Sequence, residues 1–405
     1  MAAAQFDTKP TRTSYDVVIV GGAIYGSSVA WWLTENPDFD GTILVIERDP
    51  RYEKCATAHT NSCIRQQFSN ALNVQISQFG AQFIKGFREH MGSDPRVPDL
   101  SIHNFGYMYL ANTDAFADTL RASHKVQVDA GAGTQLLSAD DIKAAYPFYA
   151  VDDIKLGSIN TVDEGYWDGG TVFEWWRRSA RERGVEYIAG EVIGMSVSGG
   201  RVQSVTLGSG DVVACGQVVN ATGPRGAKTA KMAGIDIPIE PRKRYTWVFS
   251  AEQPLDRDLP LTIDPSGVHF RQDGPQTYIA GGQSDPDPAV DFDDFAMDAD
   301  IWQDKIWPTI AARIPQFEAI KVITEWAGHY DYNTLDHNAI LGPHPDVTNF
   351  YFVNGFSGHG LQQSPAMGRG TAEMLVHGAY QTLDLSAFGY ERIAAGVPFQ
   401  ETAVI

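Results

Sequence analysis

Three glycines occupy a six-residue stretch near the N-terminus, Gly21-Gly22-Ala23-Ile24-Tyr25-Gly26. The stretch follows an apolar, β-branched run from Tyr15 to Val20 and precedes a helical pattern from Ile24 to Leu33. Glycine permits a tight turn and a close approach of backbone to phosphate, and a helix N-terminus offers unpaired N–H groups to an anion. These residues predict a pyrophosphate site, although Ala23 stands where a middle glycine is usual.

A second buried strand is predicted from Thr42 to Glu47, which completes a strand-helix-strand unit. Glu47 ends this strand 21 positions after Gly26, and Arg48 follows it. A carboxylate there accepts hydrogen bonds from a ribose diol and disfavours a 2′-phosphate. The unit therefore predicts a dinucleotide, with FAD and NAD both open at this point. The alternative is a plain glycine turn beside a solvated glutamate.

Other patterns outline the elements that position this site. Apolar residues at helical spacing fill 70–90, and 185–223 consists of short strands separated by glycine turns. Residues 236–284 again predict strands, 291–312 are acidic and helical, and 350–377 form a glycine-rich strand-to-helix region. The alternation predicts an α/β fold in which the chain leaves the nucleotide domain and returns to it.

The composition excludes several functional classes. The 405 residues include 31 Lys and Arg against 50 Asp and Glu, and the net charge of -19 repels nucleic acid and anionic membranes. Cys55, Cys63 and Cys215 form no metal or disulfide pattern, so no metal site is expected. The sequence contains no apolar stretch of membrane-spanning length or leader pattern, which predicts a cytoplasmic protein with a disordered first dozen residues.

Longer stretches carry a family resemblance. ERDPRYEKCATAHTNSCIRQQFS, VVNATG and NFYFVNGFSGHGLQQSPAMGRGTAEML resemble the D-amino-acid oxidase superfamily, which includes sarcosine oxidase, dimethylglycine dehydrogenase and glycine oxidase. IRQQFS, EPRKRY, WAGHYDYNTLDHN, GPHP and GFSGHGLQQ are similar to the branch called FAD-dependent oxidoreductase domain-containing proteins, whose mitochondrial members assist assembly of respiratory complex I. The resemblance selects FAD as the cofactor.

The resemblance also implies a domain organisation. A Rossmann-type FAD-binding domain would comprise residues 12–90, 151–235 and 325–380. A substrate domain with a mixed or antiparallel sheet would comprise 91–150 and 236–324, followed by a C-terminal tail at 381–405.

The family's cofactor contacts carry over to three segments. Thr57, His59, Thr60, Asn61 and Ser62 would lie over the pyrophosphate and flavin, and Val192, Thr222 and Gly223 would lie on the adenine side. The loop Gly358, His359, Gly360, Leu361 and Gln362 would lie near the isoalloxazine. The resemblance also suggests a covalent flavin bond at His59 or, as an alternative, at His329; either could instead be an ordinary hydrogen-bonding histidine.

The candidate catalytic residues are Arg65, His359, Tyr332 and Gln362. Arg65 matches the position that binds the substrate carboxylate in sarcosine oxidases, although an arginine there can also hold a protein carboxylate. Gln362 replaces the lysine of that clamp, and Tyr278 lies in the strand nearest to the oxygen-activating lysine of those oxidases. The resemblance therefore leaves the electron acceptor open between oxygen and another molecule. His359, Tyr330 and Tyr332 are the remaining polar candidates for the cavity.

The function implied is oxidation of the C–N bond of a small amine or amino acid, of N-alkyl or D-amino-acid type. A hydride would pass from carbon to flavin, and the resulting imine would hydrolyse. The alternative is a flavin-bearing assembly or chaperone protein for a respiratory complex. An NAD-dependent dehydrogenase would need a second nucleotide fingerprint, which the sequence lacks.

Overall fold

The computed structural model describes residues 6–402, and its first sheet surrounds the glycine motif. Its strands are β1 (Ser14–Val20), β2 (Ile43–Glu47), β8 (Glu186–Ala189), β9 (Val192–Ser198), β10 (Arg201–Leu207), β11 (Val212–Asn220), β17 (Ile340–Pro343) and β18 (Phe350–Asn354). β1 lies parallel between β2 and β11, and β9 and β10 form an antiparallel extension of β11. The predicted strand-helix-strand unit is present, with α1 at Ile24–Glu35.

The β-branched runs of β1 and β2 are buried because both faces of this sheet are covered. One face packs against α1, α2 (Ala71–Lys85), α6 (Gly169–Glu182) and α10 (Gly360–His377). Trp31 and Trp176 stack in this layer with ring centres 6.0 Å apart. The opposite face is covered by β9, β10 and α7 (Gly226–Met232).

The second sheet provides the wall opposite the first. Its strands are β4 (Tyr107–Ala111), β5 (Gln135–Leu137), β6 (Leu156–Asn160), β12 (Ile239–Ala251), β13 (Leu261–Ile263), β14 (His269–Gln272), β15 (Thr277–Gly282) and β16 (Ile320–Asn333). β12 and β16 pair from Ile239 with Asn333 to Ala251 with Ile320. A two-stranded ribbon of β3 (Cys63–Ile64) and β7 (Gly165–Tyr166) lies outside the two sheets.

Shorter helices cover the second sheet. α8 (Ala299–Ile301), a π-helical turn (Trp302–Ile306), α9 (Trp307–Arg313) and a 3₁₀ turn (Pro315–Glu318) pack on one face, and α4 (Asp114–Asp129) on the other. The remaining helices are α3 (Phe87–His90), α5 (Ala139–Ala145) and α11 (Glu391–Ala395), with 3₁₀ turns at Gly223–Arg225 and Ser386–Phe388. No helix within residues 6–402 has the length and apolarity needed to cross a bilayer.

The α/β fold with two interleaved sheets is confirmed, but the strands do not follow the predicted domain boundaries throughout. β6 belongs to the second sheet because it pairs with β4 and β5, whereas 151–235 was assigned to the first domain. β16 crosses the predicted boundary at residue 324 because it pairs with β12 along its length. Side-chain patterns predict strands, whereas pairing partners depend on the tertiary fold.

Two local predictions were wrong. Of the first dozen residues, 1–5 lie outside the described part, but Phe6 is buried against Tyr187 and Asp7 forms a bridge with Ile188. The predicted helix at 291–312 begins only at Ala299, because residues 291–298 form a loop whose aspartates bond to other elements.

Near the C-terminus, the buried Glu401 accepts a hydrogen bond from the Ser69 hydroxyl at 2.6 Å.

Candidate functional site

A cavity of about 250 Å³ lies at the carboxyl ends of β1, β2 and β11 and extends to the second sheet. All the predicted cofactor residues line it except Gly22 and Gly26. Binding at the carboxyl ends of parallel strands is the usual arrangement of open α/β sheets. The segments predicted separately from the sequence therefore meet in one place.

The glycine motif forms the turn at one end of the cavity. Gly21 has a φ of +97°, which favours glycine, and a Cβ on Gly26 would lie 1.9 Å from the Gly21 carbonyl oxygen. Gly22 and Gly26 lie behind the wall, where they pack the turn against neighbouring backbone and side chains, and their part in cofactor binding stays a prediction. The first residues of α1 line the cavity, where a helix N-terminus favours phosphate.

Glu47 lies beside this turn and is buried. Its carboxylate accepts hydrogen bonds from the N–H groups of Gly22 at 2.8 Å and Asp49 at 2.7 Å. Burial raises the pKa of this carboxyl above its usual value. A carboxylate oxygen has more than one lone pair, so Glu47 retains acceptor capacity for the ribose hydroxyls of a dinucleotide.

The end of the cavity predicted to hold adenine is closed by a loop from the second sheet. Val192, Thr222 and Gly223 line this end of the cavity. Asp293 in the loop pairs with Arg48 at 3.1 Å and with Arg225 at 2.8 Å. Residues 285–298, here called the strap, thus contact the nucleotide end through an aspartate held between two arginines.

The segment from Thr57 to Ser62 runs along the middle of the cavity. Thr57 Oγ1 accepts a hydrogen bond from the Ile24 N–H at 3.3 Å, which holds the segment over the start of α1. Thr60 Oγ1 accepts from the Ser62 N–H at 3.0 Å, and Ser62 has a φ of +52°. A non-glycine residue in this region is strained, and such residues cluster at ligand sites.

Two histidines contact the strap near this segment. His59 Nδ1 lies 3.1 Å from the Cys55 carbonyl oxygen, and the ring of His59 lies 5.9 Å from that of Phe295. His329 Nε2 donates to the Asp294 carbonyl at 2.7 Å, and its ring stacks on Phe295 at 4.3 Å. Both histidines line the cavity, and the covalent bond stays a prediction.

The C-terminal glycine loop forms the opposite end of the cavity. Gly358 has a φ of +94°, and a Cβ there would lie 2.4 Å from the Tyr330 ring. His359, Gly360, Leu361 and Gln362 line the cavity at the N-terminus of α10. The 18-residue helix α10 has no acidic residue in its first turn, so this end favours negative charge on a bound ring.

A buried carboxyl supports this loop. Asp331 accepts a hydrogen bond from the Gly355 N–H at 2.9 Å and another from the Tyr25 hydroxyl. The Tyr25 ring stacks on Phe356 with centres 4.3 Å apart. Burial raises the pKa of Asp331 to about 7. Asp331 thus connects the glycine motif of β1 and α1 to the loop before α10.

Arg65 lies at the same end of the cavity and is only 1% exposed. Its Nη2 donates to His359 Nε2 at 2.9 Å, and its backbone N–H donates to Gln362 Oε1 at 2.8 Å. Its guanidinium lies 4.3 Å from the centre of the Phe68 ring. The structure therefore brings together three of the four predicted catalytic residues.

Tyr332, the fourth, lies outside the cavity lining. Its hydroxyl bonds to His337 Nε2 at 2.8 Å, whereas Tyr330 lines the cavity. Tyr330 and Tyr332 both belong to β16. A step of two residues moves a side chain about 6.6 Å along a strand, which takes Tyr332 past the end of the cavity.

Sequence reasoning missed several lining residues of the second sheet, among them His269 and Arg244. His269 is buried, and its Nε2 accepts a hydrogen bond from Asn61 Nδ2 at 3.0 Å. Burial, with Arg244 and Arg271 nearby, lowers the pKa of His269 to about 4. Arg244 pairs with Asp287 at 3.0 Å and lies over the Tyr330 ring at 4.6 Å. The stretch EPRKRY contains Arg244, but β14 is buried throughout, so no pattern distinguishes His269.

These residues fit FAD. The two ends of the cavity supply the glycine turn, the buried carboxylate and the helix N-termini that a dinucleotide requires. Gly21 and Gly358 line the cavity with φ values of +97° and +94°, so backbone rather than side chain forms its wall there. Within residues 6–402, Asn61 Oδ1 and His269 Nδ1 are buried without a hydrogen-bond partner in the protein, as expected of groups that face a ligand. No described cluster of side chains could hold a metal ion.

Comparison with known proteins gives the family. The model of DAO, FAD dependent oxidoreductase, matches residues 16–374. FAD-dependent oxidoreductase domain-containing protein 1 of Xenopus laevis is 37% identical, over 98% of this chain and 86% of the relative. Sarcosine oxidase subunit beta of Rhizobium meliloti (strain 1021) is 24% identical, over 98% of this chain and 92% of the relative. The solved structure of L-proline dehydrogenase from P. horikoshii has a TM-score of 0.82 and 24% identity, covering 97% of this chain and 99% of that one. This chain therefore belongs to the DAO family of FAD-dependent oxidoreductases, and its cofactor is FAD.

Proposed function

We propose that the protein oxidises the C–N bond of a small amino acid, with N-alkyl amino acids as the favoured class. The observation that carries this proposal is the buried Arg65 guanidinium in the wall of the cavity beside His359 and Gln362. A guanidinium binds a carboxylate in a two-point geometry, which favours an amino acid over a plain amine. Two relatives are named for sarcosine and L-proline, both of which carry a secondary amine.

The chain's residues would bind and orient the substrate. Arg65 holds the carboxylate, and the bonds from Arg65 to His359 and Gln362 fix its position. FAD, when bound, supplies the acceptor for a hydride from the carbon next to nitrogen. Orientation of that C–H bond is the main contribution expected from the protein.

Neither His359 nor His269 is arranged as a strong base toward the substrate amine. Arginine only donates, so His359 Nε2 accepts from Arg65, and His269 Nε2 accepts from Asn61. The low pKa of His269 keeps it neutral, and its Nδ1 carries a proton that can be donated. The substrate ammonium would therefore lose its proton to water before oxidation, and the imine product would hydrolyse.

The first test is anaerobic reduction of the flavin absorbance by N-methyl amino acids, D-amino acids and simple secondary amines. Arg65→Met should raise KM for amino acids about 100-fold, because a charge-assisted bidentate contact contributes about 3 kcal/mol. Arg65→Lys should lose part of this affinity. Arg177→Met, at a buried arginine outside the cavity, is the matched control.

The outcomes separate the proposed function from its alternative. Reduction by amino acids but not by amines supports the role of Arg65. The rate of reoxidation in air then shows whether oxygen or another molecule accepts the electrons. A flavin spectrum that no compound reduces would contradict the proposed function and favour the flavin-bearing assembly protein.

A further inference from the structure

A second cavity of about 160 Å³ is lined by residues of the second sheet. It lies between α4, the strands β4, β6 and β13, and Thr402. None of the catalytic or cofactor residues predicted from the sequence lines this cavity. Its lining residues therefore indicate its role.

Strand register shows how the two cavities are related. Tyr107 pairs with Leu261 and lines the first cavity, and two residues on, Tyr109 pairs with Ile263 and lines the second. The side chains of Tyr107 and Tyr109 therefore lie on one face of the sheet about 6.6 Å apart along β4, one in the lining of each cavity. Arg65 lies between them, with its Cζ 6.0 Å from the centre of the Tyr107 ring and 5.9 Å from that of the Tyr109 ring.

Buried polar atoms indicate what the second cavity binds. Tyr109 is 6% exposed and Gln127 is 3% exposed. Within the described residues, the Tyr109 hydroxyl and the side-chain oxygens of Gln127 and Gln283 have no hydrogen-bond partner. An unpartnered buried polar atom costs free energy, so a ligand or water is expected at these atoms.

The charges of the lining narrow the ligand class. Between residues 6 and 402, no lysine or arginine lines the second cavity. Its one carboxylate, Asp264, accepts a hydrogen bond from Arg313 Nε at 2.9 Å. The buried lining atoms that lack a partner within the described residues are therefore a neutral hydroxyl and two amide oxygens. A primary carboxamide matches them, because it has two N–H donors and one carbonyl acceptor.

We propose that the second cavity holds the side chain of the substrate, and that the preferred substrate is an amino acid whose side chain ends in a carboxamide. This inference rests on the proposed function, in which Arg65 holds the substrate carboxylate. The Arg65 Cζ lies 5.9 Å from the centre of the Tyr109 ring, a distance that a side chain of glutamine length can cover. A carboxylate in the same place would be disfavoured because the lining provides no positive charge.

The test uses holoenzyme and three N-methyl amino acids of similar length, N-methylglutamine, N-methylglutamate and N-methylnorvaline, with sarcosine as the compound lacking a side chain. Each is titrated against the flavin spectrum under anaerobic conditions. N-methylglutamine should bind about three- to tenfold more tightly than the other two long compounds, the range expected for one or two net hydrogen bonds. Equal binding of the three would overturn the proposal.

Two variants locate the effect. Tyr109→Phe keeps the ring beside Arg65 and removes the hydroxyl, and should reduce the preference for N-methylglutamine about threefold. Ser123→Phe adds a ring to the second cavity and should weaken all long compounds while leaving sarcosine unchanged. Tyr351→Phe, at a buried tyrosine outside both cavities, should change neither.

Three results would overturn the proposal in distinguishable ways. If Tyr109→Phe and Ser123→Phe leave the relative affinities unchanged, the second cavity holds only water. If sarcosine binds and every long compound is rejected, the side chain does not reach the second cavity. If none of the compounds, sarcosine included, changes the flavin spectrum, the proposed function itself fails.

Discussion

Single residues decide whether the turn that faces FAD can form. The clearest case is Gly26, behind the cavity wall, where a methyl group would meet the backbone oxygen of Gly21, which cannot move independently. Glu47 adds a buried carboxylate. Its two oxygens accept hydrogen bonds from the N–H groups of Gly22 and Asp49, which fixes the glycine motif next to the end of β2. Each of these contacts depends on one residue, so substitutions there should act on cofactor binding before activity.

Gly26→Ala should weaken FAD binding about 100-fold. The added Cβ would lie 1.9 Å from the Gly21 oxygen, and an overpacked backbone costs about 3 kcal/mol. Titration of apoprotein with FAD measures the dissociation constant directly. Gly194→Ala is the matched control, because a Cβ there meets its nearest atom at 3.9 Å. Equal effects of the two substitutions would refute the steric argument.

Acid precipitation tests the predicted covalent bond at His59. Flavin colour that stays with the wild-type precipitate and is lost from His59→Ala would establish the bond. His329→Ala serves as the comparison, since the hydrogen bond from His329 to Asp294 holds this histidine to the strap. Complete release of flavin from the wild type would exclude covalent attachment.

Among the elements, the strap is distinctive because it has little regular structure yet closes the cavity. Lys243 pairs with Asp294 at 2.7 Å, which holds the strap to β12, and Asp293 joins it to the nucleotide end. Phe295 fills the space between these ion pairs by stacking on His329. We expect the strap to retain the cofactor rather than to take part in the reaction.

Asp293→Asn should weaken FAD binding about two- to fivefold, since partly exposed ion pairs contribute about 0.2–1 kcal/mol each. The wild-type protein should lose the same affinity as salt increases, because salt screens exposed pairs, and the variant should show a smaller salt dependence. FAD titration at low and high salt measures both. Asp114→Asn, which breaks the surface pair with Lys155, is the control. A variant with unchanged salt dependence would exclude this role for the strap.

The sequence predicted the elements better than their contacts. The glycine motif, Glu47 and the loop before α10 were identifiable because each depends on local backbone geometry. His269 and Arg244 were missed because they reach the cavity from strands whose pairing is set by the fold. Tyr332 was placed wrongly because the length of β16 was not evident from the sequence. Register and strand length depend on distant residues and had to come from the structure.

For the whole molecule, a buried carboxyl connects pH to stability. Glu164 is fully buried and accepts hydrogen bonds from the Gln66 N–H at 2.6 Å and the Asn160 side chain at 2.9 Å. Burial raises the pKa of Glu164 from 4.5 to about 8. The folded state therefore keeps a proton that the unfolded state releases above pH 4.5. This contribution to stability is complete below pH 4.5 and is lost as the pH rises through about 8.

Glu164→Gln should make the pH dependence of stability shallower between pH 4.5 and about 8, since the amide cannot ionise. Denaturant unfolding of both proteins at several pH values gives the free energy of unfolding for the comparison. Asp331, whose pKa is raised to about 7, contributes with the same sign and is unchanged in the variant. Parallel pH profiles for the two proteins would show that Glu164 is ionised in the folded state.

The pairing of β12 with β16 has a consequence for how the sequence of such a protein can change in evolution. The chain leaves along β12 and returns along β16, and the Glu252 N–H bonds to the Ala319 carbonyl at 2.9 Å where the pair ends. Residues 252–319 therefore begin and end at adjacent points, although they carry three strands and the strap. A replacement for these strands that offers the same edges to β4 and β12, and that keeps the strap and His269, would leave the FAD site unchanged. New substrate specificity can therefore evolve in the rest of this segment while the residues that hold the cofactor stay the same.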